Sequence, residues 1–202
     1  MTDIKTKRSP GRPREFDPDQ MLDAALKVFS ERGYQAAAIS DLVEATGLTA
    51  GSLYKAYGDK RGLFLAAFDR YWSERNRMIM ARISGLKTGR DKLRGILDHY
   101  ADHSFGEEGR RGCLVVGGAN DLSLLDADAG AHIAKTFEAN RDRLKRMILL
   151  GQEDGSIRQD IDAETMSMTL LCLTMGMRVV GKTDPGHAAM LAVVDTAMTL
   201  LN

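Results

Sequence analysis

The sequence predicts an all-α protein, with three short helices at its N-terminal end and a larger helical part behind them. Apolar residues recur three and four positions apart over most of the 202 residues, helix-opening residues precede those stretches, and no strand-like alternation of useful length interrupts them. The expected division is a basic flexible arm over 1–15, a three-helix unit over 16–60 and a larger helical unit over 61–202.

Each element has a local cause. Asp17-Pro18-Asp19-Gln20 combines an N-cap acid, a proline at the first helical position and a glutamine three residues after the cap. Leu22, Ala25, Leu26 and Phe29 then share one helix face, and Gly33 supplies the stop. A second short helix carries Leu42 and Val43, Thr46-Gly47-Leu48-Thr49 makes a tight break, and a third helix covers 50–57. Asp59 opens a longer helix over 60–83, followed by helices over 90–104 and 127–153; in the last, Ile133, Phe137, Leu144 and Ile148 line one face. Residues 106–112 read as a glycine-rich, charged loop. Two final helices over 163–182 and 185–201 form a hairpin, with Asp184-Pro185 opening the second.

Composition narrows the function. Hydrophobic and charged contents of 44% and 28% are those of an ordinary globular protein, and no apolar run approaches the ~20 residues of a membrane-spanning helix. The charged N-terminus lacks the apolar core of a secretory signal, which favours the cytoplasm. Cys113 and Cys172 stand far apart with no companion at metal spacing, so neither a disulfide framework nor a zinc module is expected. The 28 basic and 28 acidic residues cancel, so any affinity for nucleic acid must come from where the charges sit. No phosphate loop, dinucleotide fingerprint or nucleophile elbow is present, and neither an enzyme nor a bound cofactor is expected.

The second and third helices, joined by a turn containing Gly47, have the layout that lays one helix in the major groove while the preceding helix braces it. Gly33-Tyr34, Ile39, Leu42, the run from Gly47 through Leu48, Thr49, Ala50, Gly51, Ser52 and Leu53 to Tyr54, then Tyr57-Gly58-Asp59-Lys60 and Leu63-Phe64, resemble the signature of the TetR family of bacterial transcriptional repressors. The resemblance is close over residues 16–65 and extends beyond them only in helical layout and size. It implies a helix-turn-helix domain that reads a double-stranded operator, followed by an effector-binding and dimerisation domain. By the same resemblance Thr49, Ala50, Gly51, Ser52 and Lys55 face the groove, while Tyr54 and Lys60 hold phosphates. Two departures stand out. Ala37 and Ala38 occupy the place of a threonine that caps the helix and contacts a phosphate, for which Ser40 is the expected substitute as a candidate DNA-binding residue, and Arg61 replaces an acid and is expected to add a phosphate contact.

Lys5, Lys7, Arg8, Arg12 and Arg14 form a basic run without an acid, and Pro10-Gly11-Arg12-Pro13-Arg14 resembles the core of an AT-hook. Two readings stand: Arg12 and Arg14 enter a narrow A·T-rich minor groove, or the arm merely neutralises phosphates.

The resemblance further implies a homodimer whose subunits join through the last two helices. Leu173, Gly176, Val180, Leu191, Val194 and Met198 are the candidate interface, in a hairpin more apolar than one buried face requires. An unidentified small-molecule effector is expected, with Trp72, Tyr100, His103, Cys113 and Phe137 as candidate pocket residues. His99 and His103, four apart beside Asp98 and Asp102, lack a third ligand at metal spacing, so no metal is assigned. Arg110 and Arg111 beside Cys113 raise the alternative of a redox or electrophile sensor, with Cys172 expected in the core. The remaining alternative is an architectural DNA binder without an effector.

Overall fold

The computed structural model describes residues 17–122 and 125–202; the basic arm, with Arg12 and Arg14, lies outside them. The described residues form ten α-helices: α1 (Pro18–Ala36), α2 (Ile39–Thr46), α3 (Ala50–Tyr57), α4 (Lys60–Ile83), α5 (Gly89–Asp102), α6 (Gly106–Arg111), α7 (Leu114–Asn120), α8 (Ala127–Glu153), α9 (Ala163–Val180) and α10 (His187–Thr199). None is long and apolar enough to cross a membrane.

Caps set the starts. Asp17 accepts from the Asp19 N–H at 2.9 Å, and Asp59, Asp126 and Asp162 cap α4, α8 and α9 in the same way. Gly33 interrupts α1 with φ 78° and ψ 168°, a backbone conformation that side chains disfavour. The end of α3 presses against the start of α4 so closely that a Cβ on Gly62 would sit 2.0 Å from the Tyr57 carbonyl oxygen.

Three local expectations fail for tertiary reasons. Residues 106–111 are helical rather than a loop, with Glu107 and Glu108 in the first turn and Arg110 and Arg111 in the last, the order the helix dipole favours. Gly109 serves packing: a Cβ there would lie 2.8 Å from the Ser104 backbone and 2.9 Å from the Gly181 carbonyl oxygen. Asp184 does not open the last helix, which starts at His187; it turns with φ 53° and its carboxylate accepts from the Gly106 N–H at 2.7 Å. Cys172 is exposed on α9 and not in the core.

Two hydrophobic cores meet on α4, which is about 36 Å long at 1.5 Å per residue. Its first half supplies Leu63, Phe64, Phe68 and Tyr71 to an aromatic-rich core with Phe29, Leu42 and Leu53, closed by Leu114 and Val115. Its last turns supply Ile79 and Ile83 to a mainly aliphatic core with Leu93, Leu97, Leu144, Ile148 and Leu170. Val194 and Met198 belong to this second core at 0% and 4% exposure, so they leave the candidate interface; α10 turns them inward against α5.

Candidate nucleic-acid interface

The third helix is held from beneath and stapled at its start. Gly47 ends α2 in the left-handed conformation, and the Thr46 hydroxyl donates to the Leu42 carbonyl at 2.6 Å while accepting from the Leu48 N–H. Thr49 caps α3, its hydroxyl oxygen accepting from the Ser52 N–H at 3.2 Å and lying 3.0 Å from the Ser52 hydroxyl. Leu53 is buried in the aromatic core and Tyr57 packs against it, which turns Gly51, Tyr54 and Lys55 outward. Ala50 and Ser52 are half-buried on the same short helix. The outward surface is small, polar and cationic, with Tyr54 42% exposed at its edge.

Around it, two sequence expectations are corrected. Asp41, not Ser40, bonds the start of α2, accepting from the Ala38 N–H at 2.9 Å; Ser40 is exposed, and Ala37 stands in the threonine's place because it is fully buried. Arg61 does not join the outward surface, because it pairs bidentately with Asp126 at the start of α8. Lys60 folds back, donating to the Gln35 carbonyl at 3.1 Å with its ammonium 4.8 Å from the centre of the Tyr34 ring. Burial pulls its pKa below the usual lysine range, against the nearby Asp121.

A cavity lies beneath this unit, among α4, α5, α7, α8 and α9. Trp72, Tyr100, His103 and Cys113 line it together with Tyr71, Arg75, His99, Asn140 and Arg178. Phe137 is not among the lining residues; it packs against both cores. The cavity volume is about 30 Å³, room for no more than a few waters. The histidines do not share a ligand position with their neighbouring acids. The His103 ring faces the His99 carbonyl oxygen at 2.6 Å, whereas Asp102 points to Arg82 and His187, and Asp98 lies beside Arg82 and Arg94. Arg110 and Arg111 have acidic partners of their own, Arg110 pairing with Asp184 at 2.5 Å and Arg111 with Glu107 at 2.6 Å. The Cys113 thiol is buried and lines the cavity together with Tyr71.

Two paths run from the cavity to the three-helix unit. Tyr71, Trp72 and Arg75 project from the helix whose earlier turns carry Leu63 and Phe64 under Leu53. Short α7 follows directly on Cys113 and ends at Asp121, whose carboxylate accepts from the Tyr34 N–H at 2.9 Å. No element of sequence pattern announced that second link, because Asp121 and Tyr34 lie 87 residues apart.

Comparison with known proteins agrees with this layout. The profile of bacterial regulatory proteins of the tetR family matches residues 21–67, and that of the tetracyclin repressor-like C-terminal domain matches 89–193. The chain is 30% identical over 201 residues to the HTH-type transcriptional repressor ComR of Escherichia coli, covering 96% of this chain and 93% of that one. An uncharacterised HTH-type regulator of Bacillus subtilis, YezE, is 24% identical over 95% of this chain and all of its own length. Among solved structures, a cysteine mutant of the TetR family regulator CifR, complexed with 26-base-pair double-strand operator DNA, superposes with a TM-score of 0.82 at 28% identity, covering 95% of this chain and 100% of that one. Helix-turn-helix geometry, a helical second domain and these relatives together make the chain a DNA-binding transcriptional regulator, not an enzyme, and it belongs to the TetR family.

Proposed function

We propose that the protein is a repressor that binds its operator as a homodimer and releases it when a small molecule enters the internal cavity. In this reading residues 16–60 read the DNA and residues 61–202 hold the effector and the partner subunit. The observation that carries the proposal is that both α4 and α7 belong at once to the cavity wall and to the core under α3. A ligand that moves either helix changes the separation of the two recognition helices in a dimer. The expected coupling is ~1 to 3 kcal/mol between the DNA-competent and released forms. Thr49, Ala50, Gly51, Ser52 and Lys55 face bases, and Tyr54 and Lys60 hold phosphates, Lys60 by swinging away from the Gln35 carbonyl.

The homodimer is supported by the outer face of α9 and α10. Leu173, Gly176, Val180 and Leu191 remain accessible there, Val180 at 49%, beside an apolar groove lined by Leu170, Ala192, Val193 and Leu200. A Cβ added at Gly176 would meet nothing, so a second helix can approach closely. A second copy of this chain fits, because a single eight-residue recognition helix offers too few base contacts for a specific site.

The test is a gel shift with the fragment upstream of the protein's own gene against a sequence-scrambled duplex. A preference of ~10³-fold or more is expected. Equal binding of both duplexes would leave an architectural DNA binder in its place, and light scattering that finds only monomer at micromolar concentration would remove the dimer.

A further inference from the structure

The cavity wall carries a buried cation that nothing among the described residues neutralises. Arg178 on α9 is 3% exposed and lines the cavity; its Nη2 donates to the Gly112 carbonyl at 2.9 Å, but its buried Nη1 has no hydrogen-bond partner. Arg143 on α8 is 5% exposed, stands 5.3 Å from the centre of the Trp72 ring and makes one long bond of 3.3 Å to the Asn140 side-chain oxygen; its Nη1 is also buried and unpartnered. Arg75 lines the same space and is paired with Glu108. Among the described residues neither Arg143 nor Arg178 has an acidic partner.

Guanidinium groups stay protonated even when buried, and a buried cation without a counter-charge is costly. Folding keeps two of them beside one cavity, which is poorly explained by packing alone, since a methionine of similar length would fill the space at no electrostatic cost. The opposite wall does not offset them: burial first, then the neighbouring cations, holds His99 down to about 3, and burial holds His103 to about 4, so both rings are neutral at ordinary pH. A carboxylate matches the planar fork of a guanidinium with two parallel hydrogen bonds. Trp72, Tyr71, Tyr100, Ile79, Val115 and Met175 complete the wall and suit an apolar body rather than a bare inorganic ion.

We propose that the effector is a small organic carboxylate whose charged end pairs with Nη1 of Arg178, with Arg143 behind Trp72 and Asn140 as a second source of positive potential. This rests on the effector reading above and names its ligand class. Because a cavity volume of about 30 Å³ is smaller than the body of such a ligand, binding must push the walls apart, and α4 and α7 are two of those walls. Charge supplies the affinity, and the missing volume converts binding into movement.

Isothermal titration of the full-length protein with butyrate and benzoate, against butyramide and benzamide, tests the inference. The acids are expected to bind about tenfold or more tightly than the amides, and Arg178→Met is expected to weaken acid binding by about tenfold or more. Arg178→Lys, which keeps the charge and loses the fork, should fall between them, and circular dichroism verifies that each variant is folded. Amides that bind as well as acids, acids that bind Arg178→Met unchanged, or no acid binding at millimolar concentration would overturn the proposal. Acid binding that leaves operator affinity unchanged would keep the anion site and sink the release mechanism; operator release by the amides alone would do the reverse.

Discussion

The outer face of α3 and the cavity beneath it are built on opposite electrostatic designs. On α3 every polar group is either exposed or bonded locally, as Thr49 is to Ser52, so the surface is at ease in water and gains affinity only when phosphates arrive. Arg178 in the cavity wall and Arg143 behind it are already stripped of water and left incompletely bonded, so their cost is met before any ligand appears. A surface site of the first kind tolerates a charged, extended partner and stays sensitive to salt. A buried site of the second kind selects one small complementary charge and is shielded from salt. The difference also says why one chain could carry both sites without either ligand occupying the other's: DNA has no route to the buried arginines, and a small carboxylate gains little on an exposed helix.

The sharpest way to break this contrast is to remove the anchor that presents α3. Leu53→Ala deletes a side chain 1% exposed in the aromatic core and should cost about 2 to 5 kcal/mol, with operator binding abolished. Far-ultraviolet dichroism during thermal unfolding, together with a gel shift, measures both; retained operator affinity would show that α3 is not held by that contact.

Acid pH should strike the cavity and spare the surface. Both imidazoles titrate near 6.5 in the unfolded chain but at about 3 for His99 and about 4 for His103 in the folded one. Between those values the unfolded chain binds more protons, so stability falls as pH drops below about 6.5 and each histidine removes roughly 1.4 kcal/mol per pH unit until its folded pKa is reached. Above pH 6.5 neither adds any slope. Urea unfolding at several pH values reads this directly, and His99→Phe should flatten the curve; an unchanged slope in that variant would refute the assignment.

The mildest perturbation acts on the surface alone. Thr49→Ala removes the cap of α3 and should cost about 1 kcal/mol of stability while also weakening operator binding. Carboxylate affinity measured by titration should stay as it was. A loss there would mean that the two sites are less separate than their chemistry suggests.

Much of the first site was legible before any coordinates. Gly47, Thr49, Leu53 and Asp59 each act within a few residues of themselves, as turn, cap, anchor and cap, so their roles follow from spacing. Arg61 was not legible, since its partner Asp126 lies 65 residues away, and Ser40 looked like a cap only because the burial of Ala37 and the reach of Asp41 were invisible. Of the cavity, Trp72, Tyr100, His103 and Cys113 were named from residue type, but Arg143 and Arg178 were not. In sequence each looks like an ordinary surface cation of an amphipathic helix.

The amino-acid order by itself determined most of the helices, the caps at Asp17 and Asp59 and the polar face of α3, because those depend on hydrogen bonds and side-chain contacts among near neighbours. Only the tertiary structure decided that residues 106–111 coil rather than loop, that Val194 and Met198 turn inward, and that two arginines end up without counter-charges beside one small void. Burial is a property of what packs above a residue, and for these positions that neighbour comes from another helix, dozens of residues along the chain.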